Sequence, residues 1–566
     1  MVRGVRTAII FTLMMTLSSL VSVFPVVENS QLDSNDDSLP TSSKALIIWS
    51  GTMDVNNDFT VAAGDELRIY AGTILQLGPG VRIYVEGKIV ADGTAVDPII
   101  VGVQSGFTWH NGFQFNSTSR NRGSSLRNVT INDAQFGITI YNSDPVIEDS
   151  LFNNVDLVAI DLFDFANPVI RRTTFAGGGQ DVHGSMTNWR YGIGLSIGAS
   201  SAPFVEDVNF TNQITRAISY WGNSGGVIRG VNITNVGGAT MNISAAIFVE
   251  DSLPLIEDVI ISKCDNGIYV LHATDTLITR PVFRDVVVGD SQYSAVLMTK
   301  SDRFNYSTYM MGRFHNLEVF GTGGPNASSP GLAYGTVFLN TSGGWFEDVN
   351  IHDNTINGVK MYMTDPSTSF INTTIRNSGA LIGGTNERAG FFMRSSNNGG
   401  PSIQNLTVSE SPGVGIFVSK GDVSGSGWTT QNNGNEGLLI QDAFPSVSDV
   451  LSQNNGYSGL RVSDSNRLLL QNFESRHNGY SAPSALNGAG MVFVESNQYG
   501  MFAGTNVQCS QCTSIDDNWG ALRVEDSVDI QFVDLEVHDP NVVQGQSAIV
   551  IDDSNMNWNG WVDIDG

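Results

Sequence analysis

A short repeat constrains this chain more than any other feature of its sequence. Residues 255–275, LIEDVIISKCDNGIYVLHATD, contain three strand-like segments separated by corners at Asp258 and at Asn266-Gly267. The pattern returns about every 21 to 35 residues, with no helical period, for example at 145–149, 203–207 and 345–348. Each segment is short, β-branched and closed by Asn, Asp or Gly. Such repeats predict an all-β solenoid in which one repeat forms one coil.

Alternation along the last segment of each repeat separates inward from outward side chains. A strand turns successive side chains to opposite faces, so every second apolar residue is expected to enter the core. We predict about sixteen to eighteen stacked coils, in which each coil buries the apolar side chains of its neighbour. With neighbouring strands about 4.8 Å apart, these coils would form a rod of about 80 Å. The predicted inward pairs are Ile138/Ile140, Ile160/Leu162, Ile247/Val249, Ile268/Val270, Val359/Met361, Leu460/Val462, Leu522/Val524 and Ile549/Ile551.

The charge of the chain limits its partners. Its 566 residues carry 29 Lys and Arg against 56 Asp and Glu, a net charge of −27. Nucleic acid is therefore not expected as a partner, because binding a phosphate backbone requires clustered cations. A single globular core would be too small for this length, whereas a solenoid core grows with each coil.

The N-terminal residues have the composition of a targeting segment. Arg3 and Arg6 precede an uncharged apolar run that extends to Val27, which predicts a secretory signal or an uncleaved N-terminal anchor in residues 1–27. Residues 28–44 are polar and acidic and are expected to form a flexible linker. The rest of the chain is predicted to be extracellular or at the cell surface, with membrane contact only through residues 1–27.

Ten N-x-S/T sequons fit an exported chain, although strands and corners rich in Asn and Thr also produce them by chance. These glycosylation candidates begin at Asn116, Asn128, Asn209, Asn232, Asn242, Asn305, Asn326, Asn340, Asn372 and Asn405. Cys509 and Cys512 have the spacing of a local disulfide or of two free thiols. Cys264 occupies an inward position and is expected to be a small core residue.

The first coils resemble those of exported right-handed parallel β-helix proteins of the pectate-lyase-like superfamily. The resemblance rests on V-x-G-x-L-x-A-x-G-T-x-x-x-P-I, which stands here as Val85 to Thr94 followed by Pro98-Ile99, with Ile89 in place of Leu. It then covers nearly all of residues 55–554 through the repeat. It implies N-terminal coils over 45–106 and β-helix repeats over 107–566. Because no capping segment closes the final coil, we expect either that the repeats continue beyond residue 566 or that this edge pairs with another chain. That superfamily includes lyases, hydrolases, epimerases and adhesins, so the resemblance implies a fold and no single activity.

Insertions precede the last strand of several repeats. They lie at 177–190, 237–244, 321–333, 378–388, 478–489 and 539–546. In the enzymes that this chain resembles, loops at that corner line the substrate groove and the next strand forms its floor. One functional face is therefore expected there, although a solenoid corner also tolerates length changes at little cost.

The outward residues of that strand would form a ladder with an aromatic middle. The predicted order is Thr139, Asp161, Ser196, Ser219, Phe248, Tyr269, Leu297, Phe338, Lys360, Phe392, Phe417, Leu439, Arg461, Phe493, Arg523 and Val550. Exposed rings on a long groove can stack on sugars, whereas rings covered by loops or by a partner chain belong to packing. The candidate ligand-binding residues are Phe248, Tyr269, Phe338, Lys360, Tyr362, Phe392, Arg394 and Phe417.

A second outward ladder is predicted to end in acid. Glu495, Glu525 and Asp552 would lie on three successive coils, with Arg523 beside them. Stacked carboxylates form a solvated acidic face, share a calcium ion, or act as acid and base in glycoside chemistry. The chain lacks the Asn-Thr-Asp, Gly-His-Gly, Arg-Ile-Lys and Trp-Ile-Asp-His motifs of the enzymes it resembles. No catalytic residue is assigned, and no cofactor other than calcium is expected.

Glu-Asp pairs recur at the first corner of the repeat. Asp149, Asp207, Asp258 and Asp348 stand where the chain turns, a place whose left-handed backbone Asp tolerates. The glutamate before each is expected to point outward. Together the patterns favour an exported cell-surface rod with a structural, glycan-binding or adhesive role, whose partner is a polysaccharide or another surface protein. The alternative is a polysaccharide lyase, hydrolase or epimerase that acts in the groove.

Overall fold

A computed structural model describes this chain over most of residues 44–565. The described ranges are 44–179, 191–238, 244–273, 280–300, 311–323, 335–364, 366–379, 387–394, 400–465, 467–496, 507–538 and 547–565. Residues 44–566 form one compact unit. The predicted signal or anchor and the acidic linker up to residue 43 lie outside the described residues. Within the described ranges, no helix is long and apolar enough to cross a membrane.

The described chain is almost entirely β-structure. Its only other regular elements within the described ranges are a 3₁₀ turn, Ser117–Ser119, and a single helical turn, Ala485–Gly488 (α1). The first half contains β1 Leu46–Trp49, β2 Thr52–Val55, β3 Phe59–Val61, β4 Glu66–Tyr70, β5 Ile74–Leu77, β6 Ile83–Val85, β7 Lys88–Asp92, β8 Ile99–Val103, β9 Phe113–Phe115, β10 Ser125–Arg127, β11 Val129–Asn132, β12 Phe136–Tyr141, β13 Val146–Glu148, β14 Leu151–Val155, β15 Val158–Phe163, β16 Val169–Arg171, β17 Thr174–Gly178, β18 Ile193–Ile197, β19 Phe204–Gln213, β20 Arg216–Tyr220, β21 Val227–Thr234 and β22 Ala245–Glu250. The second half contains β23 Leu255–Ser262, β24 Asn266–His272, β25 Val282–Gly289, β26 Ser294–Lys300, β27 Met311–Phe320, β28 Val337–Asn340, β29 Gly343–Asn354, β30 Val359–Tyr362, β31 Ser369–Ser378, β32 Ala389–Arg394, β33 Ser402–Ser409, β34 Val414–Gln431, β35 Leu438–Gln441, β36 Ala443–Gln453, β37 Leu460–Ser463, β38 Leu468–Arg476, β39 Met491–Val494, β40 Val507–Ile515, β41 Leu522–Glu525, β42 Ile530–His538, β43 Ile549–Asp552 and β44 Met556–Asp565.

Each strand pairs in parallel with the equivalent strand one coil away, as a β-helix requires. In the repeat at 255–275, β23 bends at Asp258, as predicted, and β24 follows after a second corner. That corner lies at 263–265, where Lys263 has φ of 56°, whereas the predicted corner residues Asn266 and Gly267 begin β24. The strand that follows the insertions forms a column of its own, which we call the third column. It holds nineteen strands among the described residues, slightly more than predicted: β3, β6, β9, β12, β15, β18, β20, β22, β24, β26, β28, β30, β32, β34, β35, β37, β39, β41 and β43.

The core is a continuous stack of apolar side chains along the coils. The predicted inward residues from Ile138 to Val524 are buried in it, which confirms the alternation. At the last coil, Ile549 packs against the core but Ile551 is 45% exposed. Phenylalanines stack face to face inside, at centroid distances of 4.7, 4.9 and 4.5 Å along Phe283, Phe314, Phe346 and Phe370. Each ring is covered by the next, so the stack buries large apolar area with defined geometry.

The Asp corners adopt the predicted conformation. Asp149, Asp207, Asp258 and Asp348 have φ of 52°, 54°, 53° and 56°, in the left-handed region that Asp tolerates better than most residues. A regular bend can therefore recur at the same place in successive coils.

An ion-pair ladder runs along the outside of the first strands of the coils. From Arg127 to Arg284 its members alternate in sign from coil to coil, and His315 and Glu347 continue the row: Arg127, Glu148, Arg171, Glu206, Arg229, Glu257, Arg284, His315 and Glu347. Arg127 Nε lies 3.1 Å from Glu148 Oε2, and Arg284 Nη1 lies 2.9 Å from Glu257 Oε1. Opposite charges placed across neighbouring strands stabilise this alignment and disfavour alternatives that bring like charges together.

In the later coils, buried asparagine side chains form a second ladder, which we call the amide ladder. Asn433 Nδ2 donates to Asn455 Oδ1, and Asn455 Nδ2 donates to Asn478 Oδ1, each at 2.9 Å. Asn478 Nδ2 donates in turn to Asp517 Oδ1 at 3.2 Å. All four side chains are buried at one corner of their coils. Each amide satisfies the next, so the buried polar groups remain hydrogen-bonded.

All three cysteines are buried. Cys509 and Cys512 form a disulfide in β40, and both are buried in the core. This resolves the two alternatives that their spacing left open. Cys264 is a buried free thiol, as expected, and burial raises its pKa to about 12.

The insertions occupy the predicted corner but are not confined to it. The six predicted stretches precede β18, β22, β28, β32, β39 and β43, all in the third column. Long connections also follow third-column strands, between β24 and β25, between β26 and β27, and between β39 and β40. The expectation of a single variable corner is therefore wrong.

Candidate functional site

The outward side chains of the third column form one continuous row, which we call the ladder face. Pairing places Thr139, Asp161, Ser196, Ser219, Phe248, Tyr269, Leu297, Phe338, Lys360, Phe392, Phe417, Leu439 and Arg461 one above another. The row continues through Val492, Arg523 and Val550.

One predicted member of the ladder face is wrong. Phe493 pairs with Val462 and Val524 and is buried in the core, so Val492 takes the outward place. The four residues of β39 are Met-Val-Phe-Val, which carry no polar residue to reveal the alternation. A shift of one residue reverses inward and outward, and it affects this strand alone.

The same shift removes Glu495 from the acidic ladder. Val494, not Glu495, pairs with Glu525, which then pairs with Asp552. Glu495 lies at a corner with φ of 51°, and its backbone N–H donates to Glu525 O at 3.1 Å. The predicted stack of three carboxylates is therefore wrong. Across the described ranges, no group of three or more His, Cys, Asp and Glu residues is arranged to hold a metal ion.

Arg523 stands beside the two acids that do stack. Its Nε lies 2.5 Å from Glu525 Oε1. Glu525 is half-buried and Asp552 is exposed. With its cationic partner in place, Glu525 belongs to an ion pair at the surface of the final coils.

Most of the ladder face is buried, contrary to an open groove. Phe248, Lys360, Phe392 and Phe417 are 1–3% exposed, whereas Tyr269 and Phe338 are half-buried, as is Tyr362 in the neighbouring outward row. A second hydrophobic cluster lies outside the core and contains Ala389, Phe392, Val414 and Phe417, with Tyr362 and Leu439 packed against it. Alternation predicts the face on which a side chain lies but not whether further chain covers that face.

A polar cluster interrupts this apolar face, and we call it the Lys360 cluster. Lys360 Nζ lies 2.9 Å from Glu387 Oε2. Tyr362 donates its hydroxyl to the same oxygen at 2.5 Å. Lys360 Nζ also lies 5.1 Å from the centre of the Tyr362 ring and 5.7 Å from that of Phe392. Arg394, on the next strand of the column, is exposed.

Burial and hydrogen bonding set the charge state of the Lys360 cluster. Burial lowers the pKa of Lys360, although the Glu387 carboxylate opposes this shift. Burial raises the pKa of Tyr362, and its hydrogen bond to Glu387 raises it further. For Glu387, burial disfavours ionisation, but hydrogen bonds from Tyr362 and Lys360 outweigh it, so its pKa is lowered. Near neutral pH the cluster holds an ionised carboxylate, an ammonium and a protonated phenol.

A second buried cation packs against an earlier part of the ladder face. The Arg216 guanidinium lies 3.6 Å from the centre of the Phe248 ring, and Nη1 donates to Ser219 Oγ at 3.0 Å. Burial lowers the pKa of Arg216 to about 10 and raises that of Glu250. This group is covered, so it stabilises the face from within and offers little to a ligand.

Sequence reasoning missed two charged residues of this face, of which only Glu387 is a functional candidate. Glu387 lies 27 residues after Lys360, in the last part of the predicted insertion 378–388. Arg216 opens its strand and lies before the predicted outward residue. The signal for Glu387 was its place at the end of an insertion that leads into the ladder face.

The sequons fall into three groups. Asn209, Asn232, Asn372 and Asn405 are exposed, whereas Asn116, Asn128 and Asn340 are half-buried. The remaining candidates, Asn242, Asn305 and Asn326, lie outside the described residues. Among the exposed ones, Asn372 Nδ2 donates to Asp348 and Asn405 Nδ2 donates to Asn372, each at 3.0 Å. A glycan on either nitrogen would compete with these bonds between coils.

Comparison with known sequences identifies a family. The profile described as "Right handed beta helix region" matches residues 229–422 and 389–559. These two overlapping segments cover more than half of the chain. No curated protein matches it.

Solved structures similar to this chain are distant. An alginate lyase from Paenibacillus sp. str. FPU-7 is 11% identical over 48% of this chain and 96% of its own, with a TM-score of 0.37. A chain of the Vag8–C1 inhibitor complex is 8% identical over 90% and 100%, with a TM-score of 0.38. The periplasmic alginate epimerase AlgG is 10% identical over 83% and 77%, with a TM-score of 0.26. Similarities this low assign neither an activity nor a ligand to this chain.

Proposed function

This chain belongs to the right-handed β-helix family, and from that premise we propose that it is an exported cell-surface protein with a structural and glycan-binding role. The apolar stack, the ion-pair ladder and the amide ladder support the structural part, because each repeats from coil to coil and stiffens the solenoid along its length. The apolar run that ends at Val27 and the exposed sequons support export.

The Lys360 cluster carries the binding part of the proposal. On a mostly covered face it offers a half-buried ring at Tyr362, a carboxylate at Glu387 and an exposed guanidinium at Arg394. A sugar has an apolar ring face and a polar rim, so an aromatic surface edged by charged groups is suited to it. The buried ammonium of Lys360 holds the carboxylate in place, so the site is organised before a ligand arrives.

The geometry favours binding over catalysis. Glycoside hydrolysis uses two carboxylates on either side of the scissile bond, and Glu387 is the only acid that the described residues bring into this cluster. A phenol that is to act as a base must lose its proton, but the raised pKa of Tyr362 keeps it protonated. The cluster is therefore better suited to hold a sugar than to cleave one.

Binding to a glycan panel tests the proposal. The Tyr362→Ala and Arg394→Ala variants should each lose at least tenfold in affinity for any glycan that the native chain binds, a change of about 1.4 kcal/mol or more. Tyr480→Ala, at a tyrosine 61% exposed and far along the chain, is the control and should bind normally. A native chain that binds no glycan, or three variants with equal affinity, would refute the assignment.

The enzyme alternative retains one supporting observation, the short contact between Tyr362 and an ionised carboxylate next to an ammonium. If the native chain releases reducing ends or unsaturated sugars from a polysaccharide, and Glu387→Gln abolishes the release while the glycan still binds, the site is catalytic. That result would replace the binding role with a lyase or hydrolase activity.

A further inference from the structure

A basic cleft lies on the first coils, far along the chain from the Lys360 cluster. Its volume is about 510 Å³, within the usual range of small-molecule sites. Four successive coils contribute one cation each, because β1, β4, β7 and β10 are consecutive neighbours in the sheet. The charged residues that line it are Lys44, Asp65, Glu66, Arg68, Lys88 and Arg122.

The acidic groups of the cleft are already engaged. Arg68 Nε lies 2.5 Å from Glu66 Oε1, and Lys88 Nζ lies 3.3 Å from Glu66 Oε2. Asp65 Oδ1 accepts a hydrogen bond from the backbone N–H of Ala45 at 2.9 Å. The hydrogen bond with Arg68 lowers the pKa of Glu66, so this carboxylate stays ionised and its two cations stay paired.

Two cations in the cleft have no acidic partner among the described residues. Lys44 is exposed and forms no ion pair with any described residue. The Nε–H of Arg122 donates to the backbone oxygen of Thr118 at 2.5 Å. Four cations against two acids leave an excess of two positive charges. The chain as a whole is strongly acidic, with 56 Asp and Glu against 29 Lys and Arg. The cleft is a local reversal of the charge of the molecule.

Screening by salt allows the positive charge of the cleft to attract an anion despite the negative charge of the whole chain. At physiological ionic strength the Debye length is about 8 Å, so distant acidic residues have little influence inside the cleft. Consecutive strands lie about 4.8 Å apart, so four coils spread their cations over about 14 Å along the solenoid axis. An anion in the cleft gains charge-assisted hydrogen bonds from a guanidinium and an ammonium.

We propose that this cleft binds an acidic oligosaccharide through its sulfate or carboxylate groups. The spread of cations along the axis suits a chain with repeated anionic groups rather than one small ion. Asn121 adds an amide that can bond sugar hydroxyls, and among the described residues only Ala45 and Leu46 contribute apolar side chains to the lining. A peptide with apolar side chains would find little to pack against. This site and the Lys360 cluster are separate, so either can exist without the other.

Titration of the full chain tests the proposal. The probes are a sulfated hexasaccharide, a hexauronate, neutral maltohexaose and polyglutamate. At least one acidic glycan should bind, with an affinity that falls as salt rises, and the neutral sugar should not. Which of the two acidic glycans binds identifies the source of the anionic groups.

Charge-removing variants locate the site. The double variant Lys44→Gln/Arg122→Gln should lose at least tenfold in affinity for the acidic glycan. Lys420→Gln removes a charge at a distant exposed ion pair with Asp442 and should change the affinity less than twofold. The proposal is refuted by a native chain that binds neither acidic glycan, by equal losses in both variants, or by polyglutamate binding as tightly as the glycan.

Discussion

Asp517 ends the amide ladder with a carboxyl group where the three coils before it carry asparagine. The side chain is fully buried, and its Oδ1 accepts from the backbone N–H of Asn478 at 2.8 Å and from Asn478 Nδ2 at 3.2 Å. Ser514 Oγ donates to Oδ2 at 2.6 Å. An asparagine here would keep the two bonds at Oδ1, and its Nδ2 could donate to Ser514, as Asn478 Nδ2 donates to Ser475.

The stability gained by Asp517→Asn depends on pH. Burial raises the pKa of Asp517 to about 6, from a usual value of 3.8. A raised pKa in the folded state contributes stability fully below the unfolded value, and this contribution is lost as pH rises through the folded value. About two pKa units at 1.36 kcal/mol each give a penalty of about 3 kcal/mol above pH 6. The variant should therefore exceed the native protein by about that amount at pH 8 and by little below pH 4.

Hydrogen exchange of β38 and β40, together with thermal unfolding, measures the effect. Local exchange is informative because a solenoid need not unfold in one step. Asn455→Asp is the opposite control. In the native protein Asn455 Nδ2 donates to Asn478 Oδ1. The variant keeps the acceptor at Oδ1 but replaces this donor with a carboxylate oxygen, which faces Asn478 Oδ1. It should destabilise the coil at pH 8 and recover towards pH 4. A stability gain in Asp517→Asn that is constant from pH 4 to pH 8, or no gain, would show that burial does not raise the pKa of Asp517.

Three further perturbations test the architecture. Glu206→Arg places like charges on three successive coils and should lower stability by about 1 to 2 kcal/mol, a difference that high salt reduces; an unchanged melting temperature at low salt would count against the ladder. Ile268→Asp puts a charge in the core and should cost several kcal/mol, whereas Tyr269→Ser, on the half-buried ladder face, should cost much less; equal shifts would contradict the register. Cys512→Ser opens a small covalent loop and should lower stability by about 2 kcal/mol, as measured by chemical denaturation; equal stability with and without reductant in the native protein would contradict this.

The alternation of apolar residues along each strand predicted the core, because it depends only on residues that are neighbours in the sequence. Ile268 and Val270 lie in a strand with polar residues near both ends, so their period of two is visible. Val492 and Phe493 lie in a wholly apolar strand, where either register satisfies the pattern. Only the backbone pairing between coils distinguishes the two, and that pairing depends on how the 478–489 connection returns to the sheet.

The Lys360 cluster shows a different limit. Lys360 and Tyr362 are neighbours on one strand, so their proximity follows from the repeat. Glu387 reaches them from the end of an insertion whose path no period describes. Burial of the ladder face has the same origin, since the repeat determines which way Phe392 points but not what packs over it. The solenoid could therefore be predicted, and the chemistry added by its insertions could not.

The two polar ladders also bear on how the Lys360 cluster should be studied. Apolar side chains accept many neighbours, whereas an ion pair or a buried amide accepts few, so polar ladders specify register more strictly. The ion-pair ladder ends at Glu347 and the amide ladder begins at Asn433, and the Lys360 cluster lies between them. The contact of Lys360 with Glu387 is the corresponding specific interaction there. Removing Glu387 leaves the buried Lys360 amine without its counterpart, whereas removing Lys360 leaves a carboxylate whose side chain is 29% exposed. Variants of these two residues therefore combine a structural cost with any loss of binding. Tyr362 and Arg394, which reach the surface, report on the ligand with less disturbance of the coil.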